Sequence, residues 1–243
     1  MRFNAILLGP TLLCLTLLQG ITLSAASAAP FSDPFSGNSL NPGWSISSPN
    51  PDSSVGLTGK GYLLMTASPK NGGSDLYAGT NFNAPVILQP ISSSLDWTVT
   101  VQVNYQATND AQGAGIMVAT QNGGFTEASQ FLRLAEHDYV SSEAVCGLGV
   151  PNNGATCAGY SGSTIYLRVI KSGSNYTVEY SANKKQWTKL AEQKITTSYS
   201  YIGLFSIRQP WDDNDSVYTN AYFNYFNIKV KNQKDGLRFG GLR

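Results

Sequence analysis

The chain has 243 residues, with 16 basic and 15 acidic side chains, and only 13% of its residues are charged. This balance argues against a nucleic-acid-binding protein, which needs an excess of Lys and Arg on one face. The length fits a single all-β domain. The abundant Ser, Thr, Asn, Gln and Gly residues suit an extracellular protein, or one whose ligands are neutral and rich in hydroxyl groups.

The N-terminal segment predicts a secretory signal peptide. Arg2 supplies a basic start, residues 6–23 are mostly apolar and uncharged, and small residues follow at 24–29. This order is typical of a signal peptide cleaved near its end, so residues 1–29 are assigned to it and the mature protein is expected to be secreted. An uncleaved membrane anchor is the alternative, which Gly9-Pro10 disfavours because it breaks the apolar helix early.

Alternation of apolar and polar residues dominates the rest of the chain, and helical periodicity is scarce. In residues 96–105, the side chains of Trp97, Val99, Val101, Val103 and Tyr105 share one face. A strand with one buried and one wet face requires this pattern. About ten strands are predicted, and they include 62–67, 96–105, 115–120, 131–135, 165–170, 176–180, 187–192, 201–207 and 222–230. The turn at 171–175 predicts a hairpin between two of them.

Many short antiparallel strands of this kind build a two-sheet sandwich or jelly roll. The chain shows no internal repeat and no linker that would divide it. Residues 30–231 are therefore predicted to form one all-β sandwich. Residues 232–243 are polar and contain glycine, and they are predicted to be a flexible tail.

Two cysteines remain after removal of the signal peptide, Cys146 and Cys157. An even count in a secreted chain suggests a disulfide, here closing the loop of residues 147–156. Closing so short a loop would stabilise the fold by roughly 2–3 kcal/mol in the chain-entropy model. A zinc site is the alternative, but no histidine lies between or beside the two thiols to complete it.

Most catalytic templates are missing from the sequence. His137 is the only histidine, so a Ser or Cys triad would have to use it, and a zinc hydrolase would lack ligands. Glycoside hydrolysis needs only two carboxylates. Glu136 and Asp138 would share one face of a strand, with carboxyls about 6–7 Å apart, and they are kept as catalytic candidates. A solvated strand end is the simpler interpretation, and we expect the protein not to be an enzyme.

The segment 209–218 is the best candidate for a ligand-binding loop. Trp and Tyr rings stack on the C–H faces of sugars, while Asp and Asn oxygens accept hydroxyl protons. The predicted ligand-binding residues are Trp211, Asp213, Asp215 and Tyr218, together with His137 and Tyr139. The oxygens of this loop would also suit calcium. The simpler interpretation is a solvated loop whose Trp caps the edge of the sandwich.

Several motifs follow one another in an order that points to one fold. Residues 33–44 are similar to the pattern D-x-F-x-G-x-x-L-x-x-x-W. Later segments resemble the strands that succeed it, at 61–65, 113–118, 166–169, 180–187, 202–205 and 221–226. This succession resembles the concanavalin A-like jelly-roll superfamily, including laminin G modules and lectins. It is most similar to the sandwich domain on the C-terminal side of β-xylosidases and arabinofuranosidases.

The resemblance implies an antiparallel jelly roll and a secreted, non-catalytic, lectin-like module for plant or microbial polysaccharide. No nucleic-acid or membrane partner is expected. In the family the sandwich packs on a five-bladed catalytic propeller, so a separate catalytic chain or a cell-surface protein is a further expected partner. Relatives suggest two alternatives, namely a glycan-active hydrolase and a laminin G-like protein-interaction module.

The resemblance also bears on metals and catalysis. No cofactor is expected apart from a structural calcium, which family members often hold between an N-terminal Asp and an acidic residue of a late strand. Asp33 matches the first position, but Asn224 stands where the acid is expected. Related glucanases carry the signature E-x-D-x-x-E. Glu136 and Asp138 could begin it, but the next acid, Glu143, is two positions too far along.

Overall fold

The computed structural model describes residues 29–76, 82–104, 112–120, 128–135, 139–145, 151–160, 162–209 and 216–231; for 128–135, 139–145 and 151–159 it describes the backbone only. Within these residues the chain forms fourteen strands and no helix. The strands are β1 Ser45–Ser47, β2 Ser54–Leu57, β3 Leu63–Ala67, β4 Val86–Pro90, β5 Trp97–Asn104, β6 Gln112–Ala119, β7 Ala128–Ala135, β8 Tyr139–Val145, β9 Pro151–Gly159, β10 Thr164–Ser172, β11 Asn175–Ser181, β12 Thr188–Lys194, β13 Tyr201–Arg208 and β14 Thr219–Val230.

The described strands form two antiparallel sheets of seven strands each. Sheet A has the order β12-β11-β10-β5-β14-β3-β2, and sheet B has the order β1-β4-β13-β6-β7-β8-β9. One core cluster contains side chains from both sheets, so the two sheets pack face to face as a sandwich. The predicted fold class, an antiparallel two-sheet jelly roll, is confirmed.

The inner face of sheet A follows directly from the alternation in the sequence. In β5, Trp97, Val99 and Val101 are buried, whereas Thr98 and Thr100 between them are half-buried. The strand β10 repeats this pattern. Its predicted hairpin with β11 is confirmed, because Ser172 pairs with Asn175 and leaves a two-residue turn.

The strands β4, β6 and β13 of sheet B are covered on both faces. A second cluster of buried side chains lies on the side away from the main core, with Met117 of β6 and Phe205 of β13 among its members. Leu76, Ala84 and Phe82, from the segment before β4, pack in the same cluster. Every residue of β6 is therefore buried. For this reason residues 86–88 of β4 and 116–119 of β6 are apolar without alternation.

The structure describes only one of the two predicted disulfide partners. Cys157 lies on β9, opposite Ser141, and β9 begins at Pro151, within the segment that the bridge would enclose. Cys146 lies outside the described residues, so the bridge stays a prediction.

The two ends of the chain are not described: residues 1–28 of the predicted signal peptide and the predicted tail, 232–243, fall outside the described ranges. Among the described residues, none belongs to a helix long and apolar enough to cross a membrane.

Candidate functional site

The outer face of sheet A carries a group of aromatic side chains. Inward residues of β5, β10 and β14 build the core, so the alternate residues point away from it. We call this group the aromatic face, and it consists of Tyr62, Tyr166, Trp187, Tyr222 and Tyr225. Tyr222 is 37% exposed and the others are half-buried. The aromatic face is therefore an open surface on the outer side of sheet A.

A groove lies at one end of the aromatic face. The rings of Tyr62 and Tyr222 meet edge to face, with centroids 6.3 Å apart and planes at 89°. Together with Thr58, Lys60 and Asn104 they line a groove of about 270 Å³. Asn104 is placed there by strand pairing, because it lies opposite Tyr222 on the neighbouring strand.

The β2–β3 hairpin determines where Lys60 lies. The Thr58 amide donates to the Tyr62 carbonyl at 2.9 Å, and the Lys60 amide donates to the Thr58 hydroxyl at 3.2 Å. Gly59 and Gly61 have φ angles of 71° and 80°. These left-handed conformations favour glycine, and they allow the tight tip that carries Lys60 beside the groove.

At the other end of the aromatic face, cations lie over the rings. The Arg168 guanidinium is 3.9 Å from the centroid of the Trp187 ring, and it also forms an ion pair with Glu179. The Lys184 ammonium is 4.5 Å from the centroid of the Tyr225 ring. Lys184 reaches this position from the β11–β12 turn, where the Ser181 hydroxyl accepts the Lys184 amide at 2.9 Å.

Polar groups of the sheet lie between the two ends. The Asn224 amide donates to the Gln102 side-chain oxygen at 3.4 Å. Burial raises the pKa of Tyr225, and the neighbouring Lys184 opposes that rise. The aromatic face thus offers stacking surfaces and amides to a bound molecule.

The predicted ligand loop is described only at its base. Trp211, Asp213 and Asp215 lie outside the described residues. At the base, Arg208 is fully buried and donates to the carbonyls of Gln209 at 2.9 Å and Val217 at 2.8 Å.

Tyr218, the last residue of the predicted loop, is half-buried. Its carbonyl accepts from the Gln112 side chain at 3.2 Å, and its ring lies 5.8 Å from the Lys70 ammonium. These contacts join the two ends of the loop to the sandwich.

The remaining predicted residues of catalysis and binding are in another part of the chain. Glu136, His137 and Asp138 lie outside the described residues. Tyr139 is described by its backbone alone, as the first residue of β8, opposite Gly159 in sheet B. Its backbone therefore belongs to a different sheet from the strand that follows Tyr218.

The two predicted calcium ligands have other contacts. The Asp33 carboxylate accepts the Phe35 amide and the Trp44 indole N–H, each at 2.8 Å, which explains the spacing of the N-terminal motif. Asp33 pairs with Phe226 on β14, whereas the Asn224 amide meets Gln102. No group of three or more His, Cys, Asp or Glu side chains suited to a metal occurs among the described residues. Calcium binding, which needs six to eight oxygens, stays a prediction.

Sequence reasoning missed the aromatic face. Tyr166 and Tyr222 entered the prediction only as residues of the strands 165–170 and 222–230 and of the family motifs. The available signal was the recurrence of Tyr at outward positions of alternating strands. The meeting of Tyr62 and Tyr222 depends on strand order, which the sequence does not show.

Comparison with known proteins identifies a family with this fold. The sequence matches the GH43_C2 family model, described as the β-xylosidase C-terminal concanavalin A-like domain, over residues 32–229. No curated protein matches the sequence.

Similar solved structures include the GH43 protein BlXynB from Bacillus licheniformis, with 14% identity and a TM-score of 0.62 over 81% of this chain and 38% of that one. A xylan β-1,4-xylosidase from Bacillus halodurans has 14% identity and a TM-score of 0.58, over 82% and 39%. The Bacillus licheniformis β-glucanase has 14% identity and a TM-score of 0.59, over 83% and 98%.

The chain spans less than two fifths of the length of each of the two GH43-type structures. At these identities the structural likeness shows the fold alone. The match of the family model covers most of the described sandwich, from the Asp33–Trp44 motif to the last strand. The chain belongs to the family of β-xylosidase C-terminal concanavalin A-like domains.

Proposed function

We propose that this protein is a secreted, non-catalytic carbohydrate-binding module for plant or microbial polysaccharide, and that the aromatic face binds the glycan. The observation that carries the proposal is the groove between Tyr62 and Tyr222, with Asn104 beside it on the open face of sheet A. Tyr rings stack on the C–H faces of sugar rings, and amides bind the hydroxyl groups around the ring.

Family membership supports a glycan ligand. Two of the similar structures are named as a xylan β-1,4-xylosidase and a β-glucanase. Xylans and β-glucans are therefore the first polymers to test. The proposal includes secretion with cleavage near Ala28 or Ala29, and docking on a separate catalytic or cell-surface protein as a second role.

The test is a glycan-array screen of the secreted protein, with Tyr222→Ala as the variant. Loss of the stacking ring should weaken binding by about tenfold, since an aromatic–sugar contact resembles other ring contacts worth about 1–1.5 kcal/mol. Ile46→Ala is the matched control, because Ile46 is also an exposed apolar residue, 54% accessible, but lies in sheet B. Equal binding by the Tyr222→Ala variant would move the site away from the aromatic face.

The same screen separates the alternatives. Release of reducing sugar from a bound polymer would indicate a hydrolase, and its loss in Glu136→Gln or Asp138→Asn would identify the acids. A protein partner in the absence of any glycan would indicate a laminin G-like module. Repeating the screen with calcium and with chelator tests the predicted metal, whose effect should then disappear in Asp33→Ala.

A further inference from the structure

The groove at Tyr62 and Tyr222 contains a cation, Lys60, that no described carboxylate pairs. Lys60 lines the groove, and within the described chain no carboxylate lies within ion-pair distance of its ammonium. The hairpin tip nevertheless holds the residue beside the rings through two left-handed glycines and the bond to the Thr58 hydroxyl. The groove therefore combines stacking surface, an amide and a free positive charge.

Several other described cations of sheet A are engaged by protein groups. Arg168 pairs with Glu179 and Lys189 with Glu192, and Lys171 donates to the Leu95 carbonyl at 2.9 Å. Lys184, over the ring of Tyr225, resembles Lys60 because no described carboxylate pairs with it. Two cations of the aromatic face, Lys60 and Lys184, thus have no carboxylate partner among the described residues.

The carboxylates of the described residues do not neutralise this surface. Glu179 is engaged by Arg168, and Asp96 accepts the Gly173 amide at the β10–β11 turn. Lys60 and Lys184 therefore keep positive charges that these described carboxylates do not pair. A ligand that complements this surface needs a flat apolar surface, hydroxyl groups and a negative charge.

We propose that the groove binds a hexuronic acid unit of an acidic polysaccharide, with the sugar ring on Tyr222 and the carboxylate at Lys60. This inference rests on the proposed function, since it names the ligand class of the same face. A uronate has the size and apolar C–H face of a neutral hexose, and its carboxylate forms a charge-assisted hydrogen bond with an ammonium.

The test compares two forms of one polymer: a uronic-acid-substituted xylan, and the same xylan after reduction of its carboxyl groups to alcohols. Affinity is measured by titration calorimetry. The wild-type protein should bind the acidic form about fivefold more tightly, the upper range for an exposed ion pair. The difference should shrink between about 0.01 M and about 1 M NaCl, because salt screens exposed charges.

Lys60→Met should remove the preference, so that the variant binds the acidic and the reduced xylan with equal affinity. Lys189→Met is the matched control, because Lys189 is exposed but already paired with Glu192, and it should keep the preference. Both substitutions are at exposed positions, and circular dichroism of each variant checks that the sandwich is intact.

Two outcomes would overturn the inference. If the wild-type protein binds both xylans equally, or if Lys60→Met keeps the preference, the groove does not recognise the carboxylate, although the carbohydrate-binding function stands. If neither this xylan nor any array glycan binds, both the inference and the proposed function fail.

Discussion

Arg208 is a charged residue in an apolar position. It is among the largest fully buried side chains, and its guanidinium meets the carbonyls at both ends of the loop 209–218. A planar guanidinium can satisfy several acceptors at fixed angles, which an ammonium cannot do. The residue therefore joins the end of β13 to the start of β14 and fixes the base of the loop that contains Trp211.

We expect Arg208→Met to lower the free energy of unfolding by about 2–4 kcal/mol, because it leaves buried carbonyls without a donor. Urea denaturation of the purified protein measures this change. Arg208→Lys should recover only part of the lost free energy of unfolding, since it restores the charge without the planar guanidinium. Lys189→Met, at an exposed ion pair, should change stability by less than about 1 kcal/mol. A similar small effect at Arg208 would contradict the structural role described for it.

The strand β13 illustrates a constraint at the level of the element. It lies between β4 and β6, and Gly203 pairs with Leu88 on one side and Met117 on the other. A Cβ on Gly203 would overlap the Ile87 carbonyl oxygen and lie 3.0 Å from the Leu88 Cα. Both contacts are with backbone, so no side-chain rotation can relieve them.

We expect Gly203→Ala to destabilise the protein by at least about 2–3 kcal/mol through overpacking. Gly56→Ala is the matched control. Gly56 also lies in a strand, but a Cβ there meets nothing within 4 Å, so its effect should stay within about 0.5 kcal/mol. Both are measured by urea denaturation, and equal effects would show that the sheet adjusts around residue 203.

Some strands of the sandwich could be predicted from the sequence and others could not. The strands β5 and β10 were predicted because each has one buried and one wet face, so Val99 and Thr100 alternate in polarity. The strand β4 was missed, since both of its faces are covered and Val86, Ile87 and Leu88 are all buried. The groove was missed for another reason. Tyr62 and Tyr222 are distant in sequence, and only the pairing of β14 with β3 brings them together.

At the scale of the whole molecule, buried phenols determine how stability varies with pH. Burial raises the pKa of Tyr176 to about 12, and it also raises the pKa of Tyr160 and Tyr225. The folded protein therefore holds protons that the unfolded chain releases near pH 10. Their contribution is complete below the unfolded pKa and is lost as pH rises to the folded pKa. Lys171 acts in the opposite sense, because burial lowers its pKa.

We expect the free energy of unfolding to fall by about 2–3 kcal/mol from Tyr176 alone as pH rises from about 10 to about 12. Denaturation in urea at about pH 9 and about pH 11.5 measures the change. Tyr176→Phe removes the titrating group and should flatten this part of the profile. An equally steep alkaline loss in that variant would assign the effect to other groups.

The strand β14 alternates core residues such as Phe223 with outward residues such as Tyr222. The core residues and the outward residues of β14 are therefore under different selective pressures, although they are neighbours along the chain. Phe223 can change only where the packing of the whole sandwich allows it. Tyr222 or Asn104 can be replaced by other residues with little change in the stability of the fold. A lineage, or an engineer, can thus vary the ligand of this surface one residue at a time without first stabilising the scaffold.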